Sequence, residues 1–155
     1  MKLTQRKANI HDLPAIIWLL QQDEFGKTRE QASENIDQRY LEAFDKINND
    51  PNQYLMVVEM DNQIIGTCHL TILPSLTFTG ATRMQIEAVR VRAQYRGQNI
   101  GAWMINEAID YGKANGATII QLTSNKQRQE AIKFYKKLGF KATHQGMKLY
   151  LQNQS

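Results

Sequence analysis

The stretch Val89–Met104, "VRVRAQYRGQNIGAWM", opens as a strand, turns through Arg96 and Gly97, and ends as a helix. Val89 and Val91 alternate with arginines, the pattern of a half-buried strand. A strand that runs through a turn into a helix presents that helix's unpaired N–H groups and positive dipole end, which gather anions. The same letters also suit a polar strand-to-helix connection that binds nothing, and on these residues alone both readings stand. Neither common nucleotide fingerprint is present: there is no GxxxxGK(S/T) and no GxGxxG.

Working outward, "MQIEAVRV" leads into the turn as a strand. A helix spans about 99–115, with Met104, Ile105, Ala108, Ile109 and Gly112 inward and Gly116 ending it. "TIIQLTS" is a short apolar strand expected near the sheet centre. A further helix over about 127–138 buries Ala131, Phe134, Tyr135 and Leu138, and Gly139 caps it. "FKATH" and "GMKLYL" read as a closing hairpin. Upstream, "LTQRKA" is a short first strand. Asn9 or Asp12 caps a helix running through Gln22, with Pro14 tolerated in its first turn. A second helix is expected over about 30–48, ended by Pro51. "YLMVVEM" and "QIIGTCHLTIL" form a hairpin, and "SLTFTGATR" is a loop broken at Gly80. The result is one α/β domain over 1–155, in which the unit from Met84 to Thr123 carries parallel neighbouring strands.

Composition narrows the class. A 155-residue chain, 42% hydrophobic and 22% charged, has the balance of a globular domain able to bury a core without metal or disulfide staples. The net charge of +4 is spread along the chain and argues against nucleic acid as a partner. No apolar run reaches the roughly 18 residues of a membrane span, and no signal-peptide core is seen, so the expected location is the cytoplasm. The single cysteine, Cys68, lies in an apolar run and reads as a buried, inert thiol. His11, His69 and His144 show no metal-ligand spacing, so no metal is expected and structural roles are favoured.

The turn and a second block together resemble the GNAT family of N-acetyltransferases. That family follows a strand with (Arg/Gln)-x-x-Gly-x-(Gly/Ala), opening a helix that cradles the pyrophosphate of acetyl-CoA. Arg96, Gly97, Gln98, Asn99, Ile100 and Gly101 occupy this motif, with Asn99 in place of the middle glycine. Asn is the non-Gly residue best able to adopt a left-handed backbone. The second block is "AIKFYKKLGF", Ala131–Phe140, at the family's distance downstream. Arg128 stands where many relatives carry an Asn that helps hold the CoA arm, so that contact is not expected here, and the resemblance leaves Arg128 to meet a CoA phosphate instead.

The resemblance implies a mostly antiparallel sheet flanked by about four helices, with a central splayed parallel strand pair. It implies acetyl-CoA as cosubstrate, bound by backbone groups of Val89 and Val91 and by the turn from Arg96 to Gly101. The implied reaction is direct attack by an amine on the thioester. Tyr135 matches the position whose hydroxyl serves the departing thiolate; its place on an apolar helix face also suits core packing. Glu87 is the candidate general base, sharing a face with Val89 and Val91 by strand alternation unless a bulge intervenes. Pairing with Arg83 or Arg90 on a surface strand is the alternative. His144 and Lys148 are expected to line the acceptor site. The expected acceptor is a small-molecule amine, with a protein amine or a non-catalytic acyl-CoA sensor as alternatives, and family analogy allows a homodimer.

Overall fold

The computed structural model describes residues 2–22 and 35–152. The chain forms two compact units, one spanning 1–121 and the other 122–155. The first unit is a five-stranded sheet in the order β1-β2-β3-β4-β5. Its strands are β1 (Thr4–Lys7), β2 (Gln53–Met60), β3 (Gln63–Leu73), β4 (Thr82–Val91) and β5 (Ala117–Gln121). The first four pair antiparallel, and β4 pairs parallel with β5. The helices are α1 (Leu13–Gln21), α2 (Gln38–Asn48), α3 (Ile100–Ala114) and, in the second unit, α4 (Gln129–Lys137). The mixed α/β arrangement is the expected one.

Both expected capping residues act on the 3-10 turn that leads into α1, and Asp12, at the N-cap of α1, makes no side-chain cap bond to that helix. Asn9 Oδ1 accepts the His11 N–H at 2.9 Å, and Asp12 Oδ2 accepts the Asn9 N–H at 2.7 Å, closing a capping box around a single 3-10 turn, Ile10–Asp12. Asp12 also takes a two-pronged bond from Arg6, Nη1 to Oδ2 at 2.7 Å and Nη2 to Oδ1 at 2.9 Å. Arg6 Nε reaches Glu59 on β2, so this charge cluster ties β1, β2 and the entry of α1 together. α2 starts at Gln38, capped by Asp37, later than expected; the predicted residues 30–34 lie outside the described residues.

The sheet has two covered faces. On one, α3 packs against β3, β4 and β5. Its Met104 meets Gly66, and its Gly112 meets Met84 and Ile120, a closeness that any side chain at 112 would crowd. On the other, α1 and α2 enclose a core of Ala8, Leu13, Ile16, Ile17, Phe44 and Val57. Cys68 is fully buried, and burial pushes its thiol up to about 12, the inert state expected of it.

Two expectations change. The loop after β3 holds one left-handed turn, Thr77–Gly80, with φ of 52° at Phe78 and 59° at Thr79. Residues 141–152 form no strand, so the closing hairpin is absent. Met147, Leu149 and Leu151 do alternate as a half-buried strand would, yet all three are exposed. A pattern without a ladder partner does not hold an extended pair. The parallel pair β4–β5 therefore sits at the end of the five-strand order rather than at its centre.

Candidate functional site

The β4–β5 ladder runs from Thr82↔Ala117 to Gln85↔Gln121 and stops where β5 ends. From Ile86 to Val91, β4 continues with its partner on the β3 side only among the described strand pairs. Beyond Gln85 no described strand pairs with this edge of β4, the kind of edge on which an extended arm adds as a strand, though the Val89 carbonyl there already accepts from Arg90 Nη1.

A bulge lies in that same segment. His69 of β3 pairs with Glu87 and Thr67 pairs with Arg90, so Cys68 alone opposes Ala88 and Val89. Ala88 takes up the surplus residue with a left-handed backbone, φ 53°. The bulge inverts the alternation. Glu87 lies on the face of His69, whereas Val91, opposite Gly66, lies on the other face with Val89. The unbroken alternation that would put Glu87 with Val89 and Val91 is corrected here, for the reason anticipated.

Glu87 opens into a cleft of about 260 Å³ lined by Lys46, Ile47, Asp50, Gln53, His69, Thr71 and Glu87. Gln53, His69 and Thr71 form a hydrogen-bonded row. Gln53 Oε1 lies 2.6 Å from His69 Nε2 and accepts the Thr71 hydroxyl at 3.0 Å. His69 Nδ1 lies 3.9 Å from Glu87 Oε1. Burial holds His69 below its usual pKa, opposed by the charge of Glu87. Arg83, the alternative partner of Glu87, directs Nη1 to Gln121 Oε1 at 3.1 Å, and Arg90 Nη1 donates to the Val89 carbonyl at 2.9 Å. Sequence reasoning missed the His69 row by reading "IIGTCHL" as one apolar run. The signal was the alternation of Thr67, His69 and Thr71 with Cys68, Leu70 and Ile72.

Beyond β4, a 3-10 turn (Ala93–Tyr95) leads to Arg96, and Gly97 follows with φ 78°. Asn99 is left-handed, with φ 63° and ψ 14°, and α3 begins directly after it. The middle-glycine position thus demands the backbone that glycine adopts freely, and Asn supplies it at modest cost. Trp103 N–H closes the first helical bond onto the Asn99 carbonyl at 3.0 Å. The N–H groups of Ile100, Gly101 and Ala102 precede any helical acceptor, and Arg96, Gly97, Gln98 and Asn99 are exposed beside them. This cradle fits a pyrophosphate. Of the neighbouring arginines, Arg92 is occupied elsewhere: its guanidinium lies 4.4 Å over Trp18, and its Nε donates to the Ile64 carbonyl.

In the second unit, Arg128 holds the residue position preceding α4, without a side-chain cap bond to that helix. Tyr135 is half-buried; its ring packs edge-on against Phe134 and Phe140, with centroids 5.1 and 5.8 Å away. The packing role considered for Tyr135 is therefore real for its ring. His144 and Lys148 lie in the segment after α4, where Thr143 Oγ1 is 2.6 Å from His144 Nδ1. Among the described residues no cluster of His, Cys, Asp or Glu could hold a metal ion, and no helix is long and apolar enough to cross a membrane.

Comparison with known proteins agrees with this geometry. An uncharacterised N-acetyltransferase of Methanocaldococcus jannaschii is 41% identical over 56 residues, 36% of this chain and 25% of that protein. The glucosamine 6-phosphate N-acetyltransferase of Trypanosoma brucei brucei is 33% identical over 89 residues, 57% of this chain and 58% of its own length. These matches thus span a quarter and under two thirds of the two relatives. A crystal structure of a protein titled a transcriptional regulator, from Bacillus halodurans C-125, is 38% identical with a TM-score of 0.94, covering 97% of this chain and 100% of that one. The sequence model of the acetyltransferase (GNAT) family matches residues 13–140. The chain belongs to the GNAT acetyltransferase family.

Proposed function

We propose that the chain is a single-domain, acetyl-CoA-dependent N-acetyltransferase acting on a primary amine of a small molecule. The observation that carries this reading is the placement of Glu87. Its carboxylate is half-exposed in the cleft, one residue before the bulge in β4, the strand whose chain continues into the anion cradle.

The roles follow from the chemistry. The pyrophosphate rests on the N–H groups at the start of α3 and in the Gly97–Asn99 turn, and the extended arm pairs with β4 backbone at Val89 and Val91. An amine arrives as an ammonium ion and must lose a proton before it can attack. Glu87 takes that proton, directly or through water. The nitrogen lone pair attacks the thioester carbonyl carbon, the C–S bond breaks, and the thiolate takes a proton from the Tyr135 hydroxyl; the second proton, shed by the nitrogen as the amide forms, restores Tyr135 through water. Arg128 meets a CoA phosphate. The roles of Tyr135 and Arg128 rest on the family motif.

A cleft of about 260 Å³ lies at the small end of ligand pockets, which favours a compact amine over a protein segment. The small-molecule amine in the name of the trypanosome relative points the same way. The proposal places the enzyme in the cytoplasm, where acetyl-CoA is available. Release of CoA thiol across a panel of small amines tests it; turnover with none of them, despite acetyl-CoA binding, would sink it. That outcome would favour the second reading, an acyl-CoA-responsive regulator, which the name of the Bacillus halodurans structure supports.

A further inference from the structure

The cleft contains a histidine that the proposed chemistry has not used. His69 sits directly across the ladder from Glu87, which puts the two side chains on one face of the sheet. The amide oxygen of Gln53 can only accept, and it is already shared with the Thr71 hydroxyl. With that amide oxygen 2.6 Å away as its acceptor, Nε2 of His69 is assigned the ring proton. In the neutral ring this leaves the Nδ1 lone pair facing Glu87 Oε1 across 3.9 Å, longer than a hydrogen bond. A lone pair and a carboxylate have no hydrogen to share. Once Glu87 accepts a proton, its O–H gains Nδ1 as an acceptor, reached by a side-chain shift that closes the 3.9 Å separation.

Resting on the assignment of Glu87 as the base, we infer that His69 is a positioning residue that receives the hydrogen bond of the protonated Glu87 carboxyl. The proton moves from the ammonium nitrogen to Glu87 Oε1, is held there by His69 Nδ1, and is then released to solvent, restoring the carboxylate. Gln53 and Thr71 fix the tautomer that makes this possible. The other charged residues lining the cleft, among those described, are Lys46 of α2 and Asp50 of the turn after it; α1 contributes no ionisable side chain. Protonation of His69 reverses the effect, because the imidazolium favours ionised Glu87 and weakens it as a base. Activity should therefore fall as the pH drops through the His69 titration.

Two measurements test this on the full chain. Side-chain nitrogen NMR of the free protein should show the Nε2–H tautomer at neutral pH, with a His69 midpoint that drops in Glu87→Gln. An Nδ1–H tautomer, or a midpoint that does not move, overturns the inference whether or not an acceptor is known. In kinetics, His69→Gln should lower kcat by about tenfold or more, leave the KM for acetyl-CoA within about twofold, and alter the acid limb of the pH–rate profile. Gln53→Met, which leaves His69 in place, should give a mixed tautomer and a smaller loss, and guards against a misfolded His69 variant. An unaltered acid limb in a folded His69→Gln protein overturns the inference. Absence of turnover in the unmutated protein would instead strike the proposed function, and the NMR arm would still decide the pairing.

Discussion

Gly66 of β3 lies so close to Arg90 of β4 that a Cβ on the glycine would stand 3.3 Å from the arginine's carbonyl oxygen. Met104 Sδ crowds the same spot at 3.4 Å. The carbonyl belongs to the strand that feeds the anion cradle, and it cannot move without moving that strand. Gly66→Val should therefore cost about 1–3 kcal/mol in urea unfolding and weaken acetyl-CoA binding in calorimetry. Full affinity in a destabilised variant would show that strand and cradle are uncoupled.

Asn99 offers a sharper test of the cradle. Gly is free at its left-handed φ of 63°, whereas a β-branched residue is strained there. Asn99→Gly should keep acetyl-CoA affinity within about twofold. Asn99→Val should cost about 1–2 kcal/mol of stability and lower affinity more than the glycine variant does. Equal affinities for the two would detach the turn from ligand binding.

Glu87→Gln keeps the shape of the carboxylate and removes its basicity. Turnover should fall by about 10²–10⁴-fold, and the acid limb of the pH–rate profile should disappear. Acetyl-CoA affinity, measured by calorimetry, should hardly change. A profile identical to that of the unmutated enzyme would remove Glu87 as the base.

Tyr135→Phe preserves the ring that packs on Phe134 and Phe140 and deletes only the hydroxyl. A drop in kcat at unchanged melting temperature is the expected result. Unchanged kcat would leave Tyr135 with its packing role alone.

The Arg6–Asp12 pair sets a pH dependence of stability. The Arg6 guanidinium, with the Asn9 N–H, holds Asp12 below the usual carboxylate range against the opposing effect of burial. A carboxylate whose folded pKa is depressed stabilises the fold above its unfolded pKa, about 3.9, and that contribution is lost as pH falls through the lower folded value. Asp12→Asn should cost about 1–3 kcal/mol at neutral pH, with the gap to the unmutated protein closing in acid. Denaturant melts at two pH values would decide it.

Much of this was readable from the chain. The turn around Arg96 and Gly97, the left-handed demand at Asn99 and the two helices that follow are local features, set by residues close in sequence. The partnership of His69 with Glu87 was not readable, because it depends on cross-strand register. A one-residue irregularity at Ala88 decides which side chains share a face, and nothing in "IEAVRV" marks alanine as the residue with positive φ. The exposed alternation of Met147, Leu149 and Leu151 misled for the opposite reason: a strand pattern was present without a strand to pair with.

The surplus residue in β4 has a consequence for how variation in this chain is to be judged. Deleting Ala88 would remove no functional group, yet it would rotate everything downstream by half a turn relative to Glu87. The base would then address the same side of the sheet as the segment that carries the cradle. What Ala88 contributes is its count rather than its chemistry. Glycine or asparagine there should be forgiven far more readily than a change in the number of residues, whereas a β-branched residue meets the same left-handed strain as at position 99.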